Sequence, residues 1–377
     1  MAIDSIGIGS LASGPRVLDL GPEHPSRAGL VTMDVDVVDG VVQHADVHTG
    51  FLHRGAEKLF EVRDYRQLLM LADRHDWQSA FTGELGAALA AESMLGLQAP
   101  PRAVWLRTLL AELARLSSHL AFLTFVPYRL GDADVSGAIR SARESFRDLT
   151  LSLTGNRVHP MVVRLGGLAT DADDAWLASI RGWLARVDEV ADQLSTLTAR
   201  QDWVEIAHVG TINVELIDSF GLSGPIARAS GLDRDLRRTP GYLSYPELTF
   251  PHPAFTRSGL NDAGDRFAIL TDELRISADL ARDCLTILNG FPGTVSTQLA
   301  KIIKLPEATG HSSIEAPWGV AGWHIVSRGE RTPWRVKLRT PTWANMSALG
   351  AILVGTPLDL VDVVVASLGY TIGDLDK

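Results

Sequence analysis

The sequence predicts an α+β fold with a mainly helical core and small β-sheets towards both ends of the chain. Three observations carry this. Residues 29–47 alternate apolar and polar around Asp39-Gly40, long windows between residues 57 and 289 follow the helical i, i+3, i+4 period, and short β-type runs return after Pro292. No internal repeat, low-complexity tract or flexible linker divides the 377 residues, which are read as a single domain. Within it the expectation is a flexible N-terminus over 1–20, an N-terminal β-hairpin region over 21–56, a helical core over 57–290, and a C-terminal hairpin with helices over 291–377.

Each element has a local reason. Asp-Gly tolerates positive φ at both centres of a tight turn, so Asp39-Gly40 sets the first hairpin. The helical period covers Glu57–Ala72, Ser79–Leu95, Ala103–Val126 and Gly137–Thr154, with Pro100-Pro101 opening the third where a missing amide is tolerated. Asp171–Arg200 and Gly264–Asn289 add two more helices. Gly322–Ser327 and Trp334–Arg339, joined by Arg328-Gly329-Glu330, read as a second hairpin, and Thr342–Gly350 and Asp359–Ser367 return to helix.

Composition narrows the chemistry. With 46% hydrophobic and 21% charged residues the chain can build an ordered core. Its formal net charge of -10 and lack of a Lys/Arg-dense run argue against a nucleic-acid partner. Cys284 is the single cysteine. The chain therefore cannot supply the thiolates of an iron–sulfur cluster or most structural zinc sites, so any electron-carrying centre must sit in a partner. Met1–Gly14 lacks the basic and apolar regions of a secretory signal. The apolar windows Ala348–Leu358 and Leu360–Ile372 are interrupted and too short to span a bilayer, so any membrane association is expected to be peripheral.

Four features suggest chemistry but have simpler readings. Gly7-Ile8-Gly9-Ser10-Leu11-Ala12 imitates a dinucleotide-binding glycine pattern, yet too few residues precede it for the required strand, and it is read as flexible. His44, His48 and His53 fall where no helix aligns their rings, and are read as structural or interface residues with no metal site expected. Asp132 and Asp134 are read as a helix cap, and Arg234–Arg238 as a charged loop that is solvated or faces a partner.

Two segments set polar side chains on stiff backbone: Gly21-Pro22-Glu23-His24-Pro25, and Gly50-Phe51-Leu52-His53-Arg54-Gly55-Ala56-Glu57-Lys58 at a helix start. Further blocks follow in order. They are Asp73-Arg74-His75-Asp76-Trp77, Glu112-Leu113-Ala114-Arg115 with His119, Arg157-Val158-His159 leading to Arg164-Leu165-Gly166-Gly167, and Gly224-Pro225 with Ala227-Arg228-Ala229-Ser230-Gly231. Ser313-Ile314-Glu315-Ala316-Pro317 and Gly373-Asp374-Leu375-Asp376-Lys377 complete the series.

From Gly21 to the C-terminus this series resembles the D-type subunit of bacterial respiratory complex I, the NADH-quinone oxidoreductase, in a divergent, paralogue-like form. That family is related to the large subunit of nickel–iron hydrogenases, so the resemblance implies a hydrogenase large-subunit-like fold. It implies a peripheral component on the cytoplasmic side of the cell membrane, in a proton-translocating complex. It further implies a quinone-reduction cavity beside the terminal iron–sulfur cluster of a neighbouring protein, with a C-type subunit as another neighbour, and menaquinone or ubiquinone as substrate. Iron–sulfur clusters and FMN would belong to partner subunits, and this chain alone would bind no cofactor.

The resemblance also assigns positions. His24, Ala28, Arg54 and Trp77 would face the quinone cavity, while Arg74 and His159 would approach the cluster and tune it through hydrogen bonds and charge. Typical members carry a histidine where Ala28 stands and a tyrosine where Trp77 stands. Alanine offers no donor, and indole N–H does not release a proton at neutral pH. Two further family acids fall on Arg129 and Gly369. These departures leave an alternative expectation, a non-catalytic or altered-substrate paralogue filling the same position in a related membrane oxidoreductase.

Overall fold

The computed structural model describes residues 2–9, 14–251 and 259–377. It is an α+β fold in which a helical core is joined by three small sheets among the described residues, one of them only two-stranded. The N-terminal sheet contains β1 (Ala2–Ile8), β2 (Arg16–Leu18), β3 (Val31–Val38) and β4 (Val41–His48) in the order β2-β1-β3-β4. The β3–β4 hairpin turns at Asp39 and Gly40, whose φ angles of 50° and 78° are those the dipeptide was expected to adopt.

The expected flexible N-terminus is corrected by β1, which pairs antiparallel with β3 along its whole length and parallel with β2. Ile6 and Ile8 supply its buried face, a two-residue alternation too short to stand out in the sequence. Gly9 belongs to this packing too. A Cβ there would lie 1.5 Å from the Gly29 carbonyl oxygen, so the close approach of two backbones explains this glycine without a nucleotide. Ser10–Ala12 of the same pattern lie outside the described residues.

The first expected helix is two helices, α1 (Ala56–Glu61) and α2 (Tyr65–Ala72). Asp64 divides them, its carboxylate accepting from the N–H groups of Arg66 (3.0 Å) and Gln67 (2.9 Å) at the start of α2. Then come α3 (Ala80–Leu95), α4 (Pro101–Leu123), α5 (Phe125–Arg129) and α6 (Ala133–Thr154). Asp132 caps α6 by accepting from Val135 N–H at 3.0 Å, as expected. The short strands β5 (Val163–Arg164) and β6 (Gly167–Leu168) precede α7 (Asp174–Thr198), and α8 (Gln201–Ala207), α9 (Val214–Phe220) and α10 (Pro225–Ala229) lead to α11 (Ala263–Leu288).

Helix α11 packs along α4 and α7 at the centre of the molecule. Cys284 is buried on α11, where burial pushes its thiol well above the usual range. Besides the interrupted apolar windows near the C-terminus, the helical segment Pro101–Arg129 is strongly apolar. It is long and apolar enough to cross a membrane, yet 89% of its most apolar window is buried inside the fold. That burial is what a core helix needs.

The C-terminal sheet has three strands, β7 (Glu307–Ala316), β8 (Gly319–Arg328) and β9 (Arg335–Arg339), in sequence order. The expected hairpin is β8–β9. Strand β7 escaped the sequence reading because most of it is exposed and small or polar, with an apolar face only from Ile314 onward. Helices α12 (Pro341–Ser347), α13 (Leu349–Leu353), α14 (Val361–Leu368) and α15 (Ile372–Leu375) close the chain.

Candidate functional site

The last seven residues are threaded between three earlier blocks. The Asp376 carboxylate accepts from the N–H groups of Gly50 (2.7 Å) and Leu52 (2.8 Å), and its backbone carbonyl accepts from His53 Nδ1 at 3.3 Å. Asp374 takes a hydrogen bond from Thr342 N–H and lies 3.0 Å from His75 Nε2. Gly373 has no room for a side chain, since a Cβ would sit 2.2 Å from the His75 carbonyl oxygen and 2.5 Å from the Trp77 ring. A Cβ on Gly29 would likewise strike Ile372. The C-terminal block therefore wedges the first loop, the Gly50–Arg54 loop and the Asp73–Trp77 turn into one assembly.

Arg54, Arg74 and His159 come together around that turn. Exposed Arg54 donates from Nη2 to the Arg74 carbonyl at 2.7 Å, and Arg74 donates to the Met70 carbonyl at 2.9 Å. The His159 ring hydrogen-bonds through Nδ1 to buried Asp73, whose other oxygen accepts from Met161 N–H at 3.0 Å. Beside them Glu84 is buried and accepts from Val163 N–H at 2.7 Å. Burial and the neighbouring Asp73 hold its carboxyl well above the usual range.

His24 sits apart from that trio. It is buried against the ring edges of Phe122 and Phe125, and its Nδ1 accepts from Ser26 N–H at 3.3 Å with Ser26 Oγ at 2.5 Å. An acceptor Nδ1 places the ring proton on Nε2, which is buried without a partner among the described residues. Burial, helped by the Arg143 charge, pushes the imidazole down to about 3, so it is neutral. Ala28 ends the same one-turn helix, Pro25–Ala28, and its side chain lies outside the described residues.

Trp77 lines a cavity of about 160 Å³, open to solvent on one side, between the Asp73–Trp77 turn, α4, α6 and the segment before β5. Phe81, Leu110 and Phe146 give it apolar walls, and Ser79, Ser117 and Arg143 add polar groups. Arg143 is buried, with Nε unpartnered among the described residues and the carboxylate of Glu23 3.9 Å away. Burial lowers its guanidinium to about 10, still charged at neutral pH. His24 does not line this cavity. Arg143 is the link, since it faces the cavity and its charge reaches His24.

On the opposite side of the turn is a smaller cavity bordered by His75, Asp76, Thr82, Thr340 and Asp374. Burial, then the like charge of Asp374, pushes the Asp76 carboxyl up to about 7. His75 Nδ1 and Thr340 Oγ1 are buried at its wall without a partner among the described residues.

The Arg234–Arg238 loop is solvated only in part: Arg234 is exposed, but Asp235 and Arg237 turn inward. Arg237 is 2% exposed and bonds Asp235 (2.6 Å) and Glu112 (3.0 Å), while Arg228 bonds Glu273 and Glu315, each at 2.6 Å. Arg115 donates to the carbonyls of Glu315 (2.6 Å) and Ala316 (3.0 Å). Burial pushes Glu112 up, but Arg115 and Arg237 outweigh it and hold its carboxyl below the usual value. The sequence signal that could have found this network was the pairing of Arg237 with Asp235 two residues away, which is equally common on surfaces.

His44 and His48 lie on the exposed sheet beside Asp46 (3.3 Å) and Asp34 (3.2 Å), and His53 serves the C-terminal clamp. Among the described residues no three His, Cys, Asp or Glu side chains are grouped to hold a metal. Arg129 pairs with Asp362 at 3.1 Å, and Gly369 is overlaid by the Trp318 ring.

Comparison with known proteins bears on this assembly. The family model described as respiratory-chain NADH dehydrogenase, 49 kDa subunit, matches residues 130–377. The chain is 43% identical to the second D-type subunit of the NADH-quinone oxidoreductase of Streptomyces griseus, with 100% of this chain and 96% of that protein covered. It is 42% identical to the first D-type subunit of the Streptomyces coelicolor NADH-quinone oxidoreductase, covering 99% and 98%. It is 41% identical to the second D-type subunit of the Salinispora tropica NADH-quinone oxidoreductase, covering 96% and 93%.

Proposed function

The chain belongs to the 49 kDa subunit family of respiratory-chain NADH dehydrogenase, and from that membership we propose that it serves as the D-type subunit of an NADH-quinone oxidoreductase, with the Trp77 cavity receiving the quinone head-group. Its partners are other subunits of that membrane-associated complex. In this reading the chain sits peripherally on the cytoplasmic face, against a protein holding the terminal iron–sulfur cluster and beside a C-type subunit. The cluster and the flavin belong to those partners.

One observation carries the assignment: the large cavity and the Asp73–His159 pair share a single turn, residues 73–77. A partner's cluster docked near Arg74 and His159 would then stand a short distance from a ring held against Trp77. The apolar walls suit a quinone ring, and Ser79, Ser117 and Arg143 are among the donors available to its carbonyl oxygens. Arg143 stays charged whether or not the ring is reduced, so it favours the negative charge that builds on those oxygens as electrons arrive. The non-catalytic alternative has no comparable observation in its favour, because a donor-lined cavity persists although Ala28 and Trp77 replace the family's histidine and tyrosine.

The test is made on the assembled complex. Trp77→Ala should raise the KM for a short-chain quinone severalfold while NADH-driven ferricyanide reduction, which needs no quinone cavity, stays unchanged. Unaltered quinone kinetics in that variant would reject the site.

A further inference from the structure

Quinone reduction consumes two protons, yet among the described residues no side chain lining the Trp77 cavity is a carboxylic acid or an imidazole. Buried acids do border the smaller cavity behind the turn: Asp76 and Asp374, with His75 bonded to Asp374. Two side chains connect these spaces. Thr82 lines the small cavity, Ser79 lines the large one, and their hydroxyl oxygens are 2.8 Å apart. Both are buried, at 4% and 1% exposure, so the pair is insulated from bulk water.

We propose that Asp76, Asp374 and His75 hold a proton for the Trp77 cavity and pass it through the Thr82–Ser79 hydroxyl pair to the reduced head-group. This rests on the quinone reading above. It assigns a proton route to residues that replace neither of the missing family donors in place.

Two features show that the small cavity is built for a polar guest rather than being a chance packing of acids. His75 Nδ1 and Thr340 Oγ1 both border it, both are more than nine-tenths buried, and neither has a partner among the described residues. A single water there would satisfy them and reach Thr82. The groups facing Asp76 come from every side: His75 on its own turn, Asp374 from α15, Thr371 before it, and Arg339 from β9, with Lys377 close to Asp374. Two acids confronted with so few compensating charges favour keeping one proton between them.

Each proton in the transfer has a source. NADH oxidation in the assembled complex supplies two electrons to the quinone, whose oxygen then takes a proton from Ser79 Oγ. Ser79 recovers one from Thr82, Thr82 from the cavity water, and the water from the Asp76 carboxyl, leaving a carboxylate that solvent reprotonates. At rest Thr82 Oγ1 donates to the Ser79 carbonyl at 2.8 Å, which leaves Ser79 Oγ free to donate to Thr82. An acceptor in the large cavity turns Ser79 towards itself, and Thr82 must rotate to follow. Once solvent has reprotonated Asp76, a second passage along the same route delivers the second proton.

The experiment uses the assembled complex and compares Ser79→Ala, Thr82→Val, Thr82→Ser and Asp76→Asn. Each is assayed with a short-chain quinone across the acid and alkaline limbs of the pH profile, in ordinary and heavy water, with NADH:ferricyanide activity reporting intact upstream electron flow. Thr82→Val and Ser79→Ala should lower kcat on the order of tenfold or more with KM little changed, and enlarge the solvent isotope effect. Thr82→Ser should restore both, which a packing role for the threonine methyl would not predict. Asp76→Asn should flatten the alkaline limb of the pH profile. Wild-type kcat, pH profile and isotope effect in Thr82→Val would overturn the relay. The quinone reading fails separately, if the unmodified complex reduces ferricyanide but no quinone, or if Trp77→Ala leaves quinone kinetics untouched.

Discussion

Asp73 holds His159 by a carboxylate–imidazole hydrogen bond across 86 residues of sequence, and the same carboxylate fixes the backbone at Met161. A buried acid with two such bonds dictates both the ring's position and which nitrogen faces outward. Asp73→Ala should therefore release His159 without emptying the large cavity. The expected result is a shift in the reduction potential of the partner's terminal cluster, read by redox titration, with the quinone KM little altered. An unshifted potential would show that His159 does not reach the cluster.

The buried charge network tests stability rather than chemistry. Arg228 serves two carboxylates at once, and its removal strands Glu273 and Glu315 in the interior. Arg228→Leu should cost about 3–5 kcal/mol, measured by chemical denaturation, because the unpaired charges lose their compensation. Replacing Arg228, Glu273 and Glu315 together by apolar residues should cost much less than the single change predicts.

Gly369, the position to which the family resemblance assigns an acid, cannot carry any side chain without strain. Its φ is 57°, and a Cβ would lie 2.0 Å from the Trp318 ring. Gly369→Ala should destabilise the chain by about 2–4 kcal/mol, the sum of overpacking and left-handed strain. Gly369→Glu should do so at least as strongly. A thermal melt unchanged in Gly369→Ala would mean that Trp318 moves aside freely.

Asp76 makes stability depend on pH. Burial, then Asp374, raises its folded value to about 7 from an ordinary 3.8, so between those values the folded chain binds a proton the unfolded chain has lost. Stability contributed by this group is therefore complete below about pH 4 and falls as pH rises towards 7. Asn does not titrate. Relative to the parent, Asp76→Asn should melt higher on the alkaline side of that window than on the acid side, a difference that calorimetry at the two ends would read.

The C-terminal clamp gives a proteolysis prediction. Asp376→Ala removes both acceptors of the Gly50 and Leu52 N–H groups. It should cost on the order of 2–3 kcal/mol locally and open the Gly50–Arg54 loop to cleavage in limited proteolysis. Asp376→Asn, which keeps one acceptor oxygen, should lie between.

The sequence disclosed what is local and periodic. The Asp39-Gly40 hairpin, the Asp132 cap and helices α3, α6, α7 and α11 each rest on turn chemistry or repeated apolar spacing that neighbouring residues alone determine. Strand β1 was missed because its apolar alternation is too short to stand out, and β7 because few of its side chains are apolar; the pairing of both is settled by tertiary packing. At the site, the motif order brought Arg54, Arg74, Trp77 and His159 to attention. It could not show that Gly373 packs under Trp77, that Arg237 is interior, or that Ser79 and Thr82 bridge two cavities. Those relations join residues far apart in the chain or depend on which way a side chain is buried, and neither leaves a spacing signature.

Cys284 carries a practical consequence. A thiol that is fully enclosed on α11 and held in its protonated form reacts with neither maleimides nor methanethiosulfonates at neutral pH. The native chain therefore behaves towards such reagents as though it had no cysteine, and a single thiol placed on the exposed β3–β4 turn or on the outer face of α6 would accept a spin label or fluorophore selectively. Distances from such labels to a partner's paramagnetic centre could then be measured without first rebuilding the core.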